Sequence, residues 1–145
     1  TRVLLEQLTR RKEAVILNVG SIFGSIGHPG FAVYCATKAG LMRFTEALSR
    51  ELADTPVRVA YIAPRATNTK LNDDRVNALN RELGNKSDDP ELVADQIVAM
   101  LASNLVLRYL GWPEKLFVRI NALLPSVVGS ALIKNLGKIK QYAKR

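Results

Sequence analysis

Tyr34 and Lys38 stand four residues apart in Tyr34-Cys35-Ala36-Thr37-Lys38, and Ser21 precedes the tyrosine by thirteen positions. A phenol, an ammonium and a hydroxyl are groups that could gather around a reacting carbonyl. On a helix, residues i and i+4 share a face about one turn apart. A phenol with an ordinary pKa of about 10 is a poor base at neutral pH. A neighbouring ammonium favours the charged phenolate. Such a pair can exchange a proton near pH 7, a role worth roughly 10²–10⁴ in rate. Taken alone, the spacing equally describes a core-facing tyrosine beside a solvated lysine, so the surrounding residues must decide.

Those residues read as alternating strands and helices. Thr1 to Lys12 places Val3, Leu4, Leu5 and Leu8 at helical spacing with no start signal before them, as in the last turns of a helix begun upstream. Ala14 to Val19 is a short apolar run without polar alternation, suited to a strand buried on both faces of a parallel sheet. Gly20 to Gly30 has loop composition, and Ser21 falls just past the strand, where open α/β sheets bind ligands. Phe31 to Ala53 is a long helix with a stripe of Tyr34, Leu41, Phe44, Leu48 and Leu52. A second strand, Val57 to Ala63, is closed by Pro64. One helix between two strands predicts a right-handed βαβ unit. Asn72 to Leu83 predicts a short helix. Ser87-Asp88-Asp89-Pro90 is a cap signal before a helix from Glu91 to about Ala102. Leu105 to Leu110 is a third strand candidate, broken by Gly111-Trp112-Pro113, with one or two helices to the C-terminus. The body is β-α-β-α-α-β.

Composition limits the classes. With 145 residues, 48% apolar and 23% charged, the chain suits one globular domain with a real core. One cysteine cannot make an internal disulfide, which fits a reducing, cytoplasmic compartment. No run approaches the roughly 18 apolar residues of a membrane-spanning helix, and no secretory leader opens the chain. The net charge is +8, but past Pro113 seven lysines and arginines face Glu114 alone. A near-neutral body with a basic tail is not the pattern of a nucleic-acid binder, and no nucleic-acid partner is expected.

Asn18-Val19-Gly20-Ser21, the glycine loop, Tyr34-Cys35-Ala36-Thr37-Lys38-Ala39-Gly40, and Ala63-Pro64 before Thr69 together resemble the short-chain dehydrogenase/reductase family, in order and spacing from Thr1 to about Trp112. The resemblance implies the C-terminal portion of a doubly wound parallel-sheet, Rossmann-like α/β domain over 1–112, followed by a basic helical extension over 113–145. It implies an oxidoreductase that interconverts an alcohol and a ketone or aldehyde with NAD or NADP. Tyr34 would exchange the proton with the substrate oxygen. Lys38 would favour its phenolate and bind the nicotinamide ribose, and Ser21 would polarise the carbonyl. Tyr34, Lys38, Pro64 and Thr69 would contact the cofactor, with hydride passing between nicotinamide and the carbinol carbon. The helix of Tyr34 and Lys38 commonly pairs with its copy in the family, which implies a homo-oligomer.

Three departures qualify the resemblance. Arg65 follows Pro64 where the family usually has glycine. It either narrows the cofactor groove, or reaches a phosphate or acidic substrate, or is a variant without consequence. The family's Gly-rich phosphate turn, its NAD/NADP-selecting residue, its Asn-Ala-Gly motif and its helical asparagine are absent from these residues. The extension is also long for the family. These features point to a piece of a longer protein, weak in dinucleotide binding by itself. The alternatives are a non-catalytic fragment that acts by binding, or a membrane-peripheral protein.

The remaining singular residues point less directly. His28 lacks companion ligands, so no metal site is expected, and it reads as a turn residue near the substrate mouth. Cys35 reads as a packing residue and Trp112 as the anchor of the tail. Val128, Leu132, Leu136, Ile139 and Ala143 form one apolar stripe, with Lys134, Lys138 and Arg145 mainly on another face. That is a basic amphipathic helix. It either docks on the body or a partner subunit, or lets 127–145 touch an anionic membrane, which would suit a lipid-like substrate. The loops Gly24–Phe31 and Asn68–Asp89 are expected to shape the pocket.

Overall fold

The structure, a computed structural model, describes residues 1–70, 72 and 74–143. Its elements run α1 (Arg2–Thr9), β1 (Ala14–Val19), a 3₁₀ turn (Ile22–Gly24), α2 (Ala32–Glu51), β2 (Val57–Ala63), α3 (Asp74–Glu82), α4 (Pro90–Leu101), β3 (Leu107–Tyr109), α5 (Glu114–Leu123), α6 (Pro125–Lys134) and α7 (Leu136–Ala143). The three strands form one parallel sheet in the order β1-β2-β3, with Ala14 beside Val57 and Tyr61 beside Leu107.

Alternation along β2 sends successive side chains to opposite faces. Val57 and Val59 join Ala14, Leu48 and Leu52 under α1 and α2. Ala60 and Ile62 face the other way, onto Val93 and Met100 of α4 with Leu110. Helices therefore cover both faces, the doubly wound arrangement predicted from the chain. Ile62 and Met100 are fully buried, each worth about 1.5–3 kcal/mol of apolar transfer.

Several expectations shift by a residue or a face. β2, not β1, is the strand buried on both sides. β1 pairs with β2 alone among the described residues and leaves Val19 exposed. β3 is shorter than predicted: Leu105 and Val106 precede it, exposed, with the Val106 carbonyl accepting the Tyr61 N–H at 2.8 Å. On α2 the inward line is Cys35, Leu41, Thr45 and Leu48, while Phe44 falls one position off it and faces solvent. Asp89 is the N-cap of α4, in extended backbone, but makes no side-chain cap.

The tail also differs. The single stripe is two helices broken at Asn135, after a separate α5, so among the described residues three helices follow Pro113. Val118, Val128 and Leu132 pack against Ile22, Ile26, Tyr61 and Ala63. Ile139 is fully buried on α7, which lies against α3, and Lys138 pairs with Glu82. Trp112 is no anchor: it is 62% exposed, with Lys115 Nζ 5.9 Å from its ring. The corner is held by buried Leu110 and by Gly111. At Gly111, φ is 88°, and a Cβ would meet Arg65 Cδ at 2.7 Å. Arg145 lies outside the described residues.

Candidate active site

β1 ends at Val19 and the chain turns at once. Ser21, in extended backbone, caps the 3₁₀ turn, and its hydroxyl accepts the Phe23 N–H at 3.2 Å. The turn is tied to the end of β2, since Ile22 N–H donates to the Pro64 carbonyl at 3.1 Å. Pro64 is buried, so the contact acts through its main chain.

α2 begins after a loop stapled from within. Cys35 is buried, takes the His28 N–H on its sulfur at 3.3 Å and lies 3.8 Å from the Ile26 carbonyl. It thus joins the loop to the helix, beyond the packing role expected of it. His28 is buried at the loop's apex, with its ring stacked on Phe23 at 4.6 Å and edge-on to Phe31 at 5.5 Å. Burial pushes its pKa below the usual imidazole value, opposed by the contact of Nδ1 with the Pro29 carbonyl. Phe23 in turn meets the Tyr34 ring edge-on at 6.4 Å.

Tyr34 projects from the first turn of α2 and is 42% exposed. One turn on, Lys38 Nζ donates to the Val19 carbonyl at 3.2 Å and lies 5.8 Å from the Tyr34 ring centroid. The lysine therefore bridges the strand end and the tyrosine. Ser21 reaches the pair indirectly, through Phe23 on one side and through Tyr61 beneath. Tyr61 Oη lies 3.3 Å from the Ser21 nitrogen and 3.5 Å from the Lys38 carbonyl oxygen. Thr69 stands apart, exposed in the loop after β2, with its N–H on the Thr67 carbonyl.

Sequence reasoning missed Tyr61 and left the role of Arg65 open. Its guanidinium turns to the corner, donating to Asp88 at 2.9 Å and to Glu114 at 3.4 Å. Those bonds, Asp88 first, raise its pKa further above the ordinary arginine value. The same corner is laced by main chain, with Asp88 N–H on Ala66 and Asn68 N–H on Asp88. Among the described residues no group of three or more His, Cys, Asp or Glu side chains could hold a metal ion. No described helix is long and apolar enough to cross a membrane. A surface groove of about 430 Å³ lined by Val3, Glu6, Gln7, Arg10 and Arg11 on α1 includes none of the candidate residues.

Comparison with known proteins agrees with the fold. The 3-oxoacyl-[acyl-carrier-protein] reductase FabG of Vibrio cholerae is 35% identical over 108 residues, covering 71% of this chain and 44% of its own. A short chain dehydrogenase of Burkholderia cenocepacia, solved in complex with NADP, superposes with TM-score 0.74 at 24% identity, over 90% of this chain and 52% of that one. The 3-ketoacyl-(acyl-carrier-protein) reductase of Brucella melitensis, complexed with NADH, gives TM-score 0.62 at 28% identity, over 75% and 48%. The chain thus spans about half the length of these proteins. The sequence pattern of the short chain dehydrogenase family matches residues 1–80, and the chain belongs to that family.

Proposed function

We propose that this chain carries the proton-transfer half of an NAD- or NADP-dependent oxidoreductase acting on an alcohol or carbonyl, with 1–112 as the catalytic body and 113–145 as its extension. The observation that carries the reading is the Lys38 ammonium, held on the Val19 carbonyl at 3.2 Å and 5.8 Å from the ring of the exposed Tyr34. When bound, a nicotinamide supplies or accepts the hydride. In the reducing direction Tyr34 hands its phenolic proton to the substrate oxygen as the carbonyl becomes a carbinol. Lys38 stabilises the negative charge left on the phenol. Ser21, at the mouth of the same turn, donates its hydroxyl to that oxygen.

The donor set fits the nicotinamide end of a dinucleotide. An ammonium has three donors, so Lys38 can serve a ribose diol together with Val19. Thr69 offers an exposed hydroxyl, and Pro64 shapes the loop between them. The relatives that reduce 3-oxoacyl groups on a carrier protein favour a small 3-oxoacyl thioester as substrate. Val33 and Phe44, exposed on α2, supply the apolar surface for a homo-oligomer. In the whole protein, assayed with acetoacetyl-CoA and NADPH or NADH, Tyr34→Phe is expected to lower kcat by at least about 10²-fold while thermal unfolding is unchanged. Wild-type turnover in this variant would overturn the assignment.

A second reading concerns the extension. Leu123 (81% exposed), Leu124, Val127 and Ile133 are exposed on and between α5 and α6, in a tail rich in lysine and arginine, which favours contact with an anionic membrane. Sedimentation with phosphatidylserine vesicles should carry down the whole protein, and a Leu123→Ser/Leu124→Ser variant should stay in solution. Equal sedimentation of both would remove that reading.

A further inference from the structure

Tyr61 is an unusual residue to find under a turn. It lies on β2, is 2% exposed, and its ring fills the space that two glycines leave open. A Cβ on Gly20 would meet Tyr61 Oη, Cζ and Cε2 at 1.9, 2.0 and 2.3 Å. A Cβ on Gly24 would stand 2.8 Å from Oη and 2.9 Å from the Lys38 carbonyl oxygen. The absence of side chains at both positions lets the phenol oxygen arrive between the Ser21 turn and the second turn of α2.

There the hydroxyl is used on both sides. It accepts the Ser21 N–H at 3.3 Å, and the carbonyls of Ser21 and Lys38 each lie 3.5 Å away as acceptors for its single proton. A buried tyrosine normally finds such partners. Here the partners are the main chains of two of the three candidate residues, which reach it from separate elements. Burial raises the Tyr61 pKa, opposed by the Ser21 N–H, so the phenol stays neutral and able to donate. Its burial also keeps it from substrate. We propose that Tyr61 is a positioning residue, which fixes the distance between the Ser21 turn and the Lys38 turn of α2 from below.

This rests on the reading of Ser21, Tyr34 and Lys38 given above. A displacement of about 1 Å between reacting groups can cost on the order of 10²-fold in rate. Tyr61→Phe, which keeps the ring and removes the hydroxyl, should therefore lower kcat about 10-fold in the whole protein, with KM for acetoacetyl-CoA changed less than about 2-fold. Activity is to be normalised to folded protein, so that a loss of stability alone would leave kcat at the wild-type value. Wild-type kcat in Tyr61→Phe, beside an inactive Tyr34→Phe, would overturn the positioning role and leave the proton-transfer reading intact. Wild-type turnover in Tyr34→Phe would instead remove the reading on which the role rests. Should Tyr61→Phe fail to fold, Gly24→Ala provides the same test with the phenol retained. Its Cβ presses between Oη and the Lys38 carbonyl, a loss of kcat at constant KM supports the role, and unchanged kcat refutes it.

Discussion

At the end of β1, the Ser21 turn and α2 are joined by a neutral phenol seated against two glycines. At the end of β2, Arg65 is joined to Asp88 and Glu114 by charge, across a corner closed by Gly111. Both junctions sit at the carboxyl edge of the same sheet, and both bring together segments far apart in the chain. Their difference lies in where charge is left over. The guanidinium of Arg65 is compensated by two carboxylates, so little of its field reaches beyond the corner. Lys38, by contrast, meets only a carbonyl and the face of a tyrosine among the described residues. A positive charge without a carboxylate partner stands where an anionic phenolate would benefit from it. Holding that junction with a neutral hydroxyl avoids bringing in a carboxylate that would cancel the field.

The charged corner should be the costlier one to break. Its Asp88 side chain is 6% exposed and Arg65 15%, so removal of the carboxylate leaves a desolvated guanidinium with Glu114 alone. Loss of one partner from a buried pair costs about 3–5 kcal/mol. With some solvent on Arg65 and Glu114 remaining, Asp88→Ala should lie near the lower end, about 3 kcal/mol, by urea unfolding of the whole protein. Adding Arg65→Ala should recover at least about 1 kcal/mol of that loss, since the desolvated guanidinium is then gone and Glu114, 21% exposed, can turn to solvent. Strictly additive effects would mean that the corner is held by its main-chain bonds and not by charge.

The two junctions also mark how far residue types alone reveal the molecule. Ser21, Tyr34 and Lys38 were legible because their chemistry follows from type and spacing along one turn and one helix. Tyr61 was not, since a lone tyrosine in an apolar run reads simply as strand. Its role appears only when the register sets Asn18 beside Tyr61 and brings Gly20 over the ring. Gly20 and Gly24, four apart in a loop opposite an aromatic strand residue, were the available signal. Asp88 was hidden by its neighbourhood: in Ser87-Asp88-Asp89-Pro90 it resembles a helix cap, whereas the cap is Asp89 and Asp88 turns inward to Arg65. The burial of β1, the length of β3 and the course of the tail were missed for a common reason. Periodicity reports which residues share a face, but not whether another element covers that face, nor where a stripe breaks, as it does at Asn135.

The smallest expected effect sharpens the neutral side of the comparison. His28 is the chain's one histidine, buried between Phe23 and Phe31 with no carboxylate paired to it among the described residues, and burial lowers its pKa. Folding therefore favours the uncharged imidazole, and the stability it contributes is full above the unfolded value of about 6.5. As the pH falls through that value the unfolded chain takes up the proton first, and stability declines until the lowered folded value is passed. One proton limits the slope to about 1.36 kcal/mol per pH unit. The unfolding free energy of the whole protein, measured from pH 7.5 to 5, should fall more steeply for wild type than for His28→Gln, which cannot take up that proton. Parallel curves would show that the imidazole titrates freely in the fold, and that the loop leading into α2 tolerates a charge between Phe23 and Phe31.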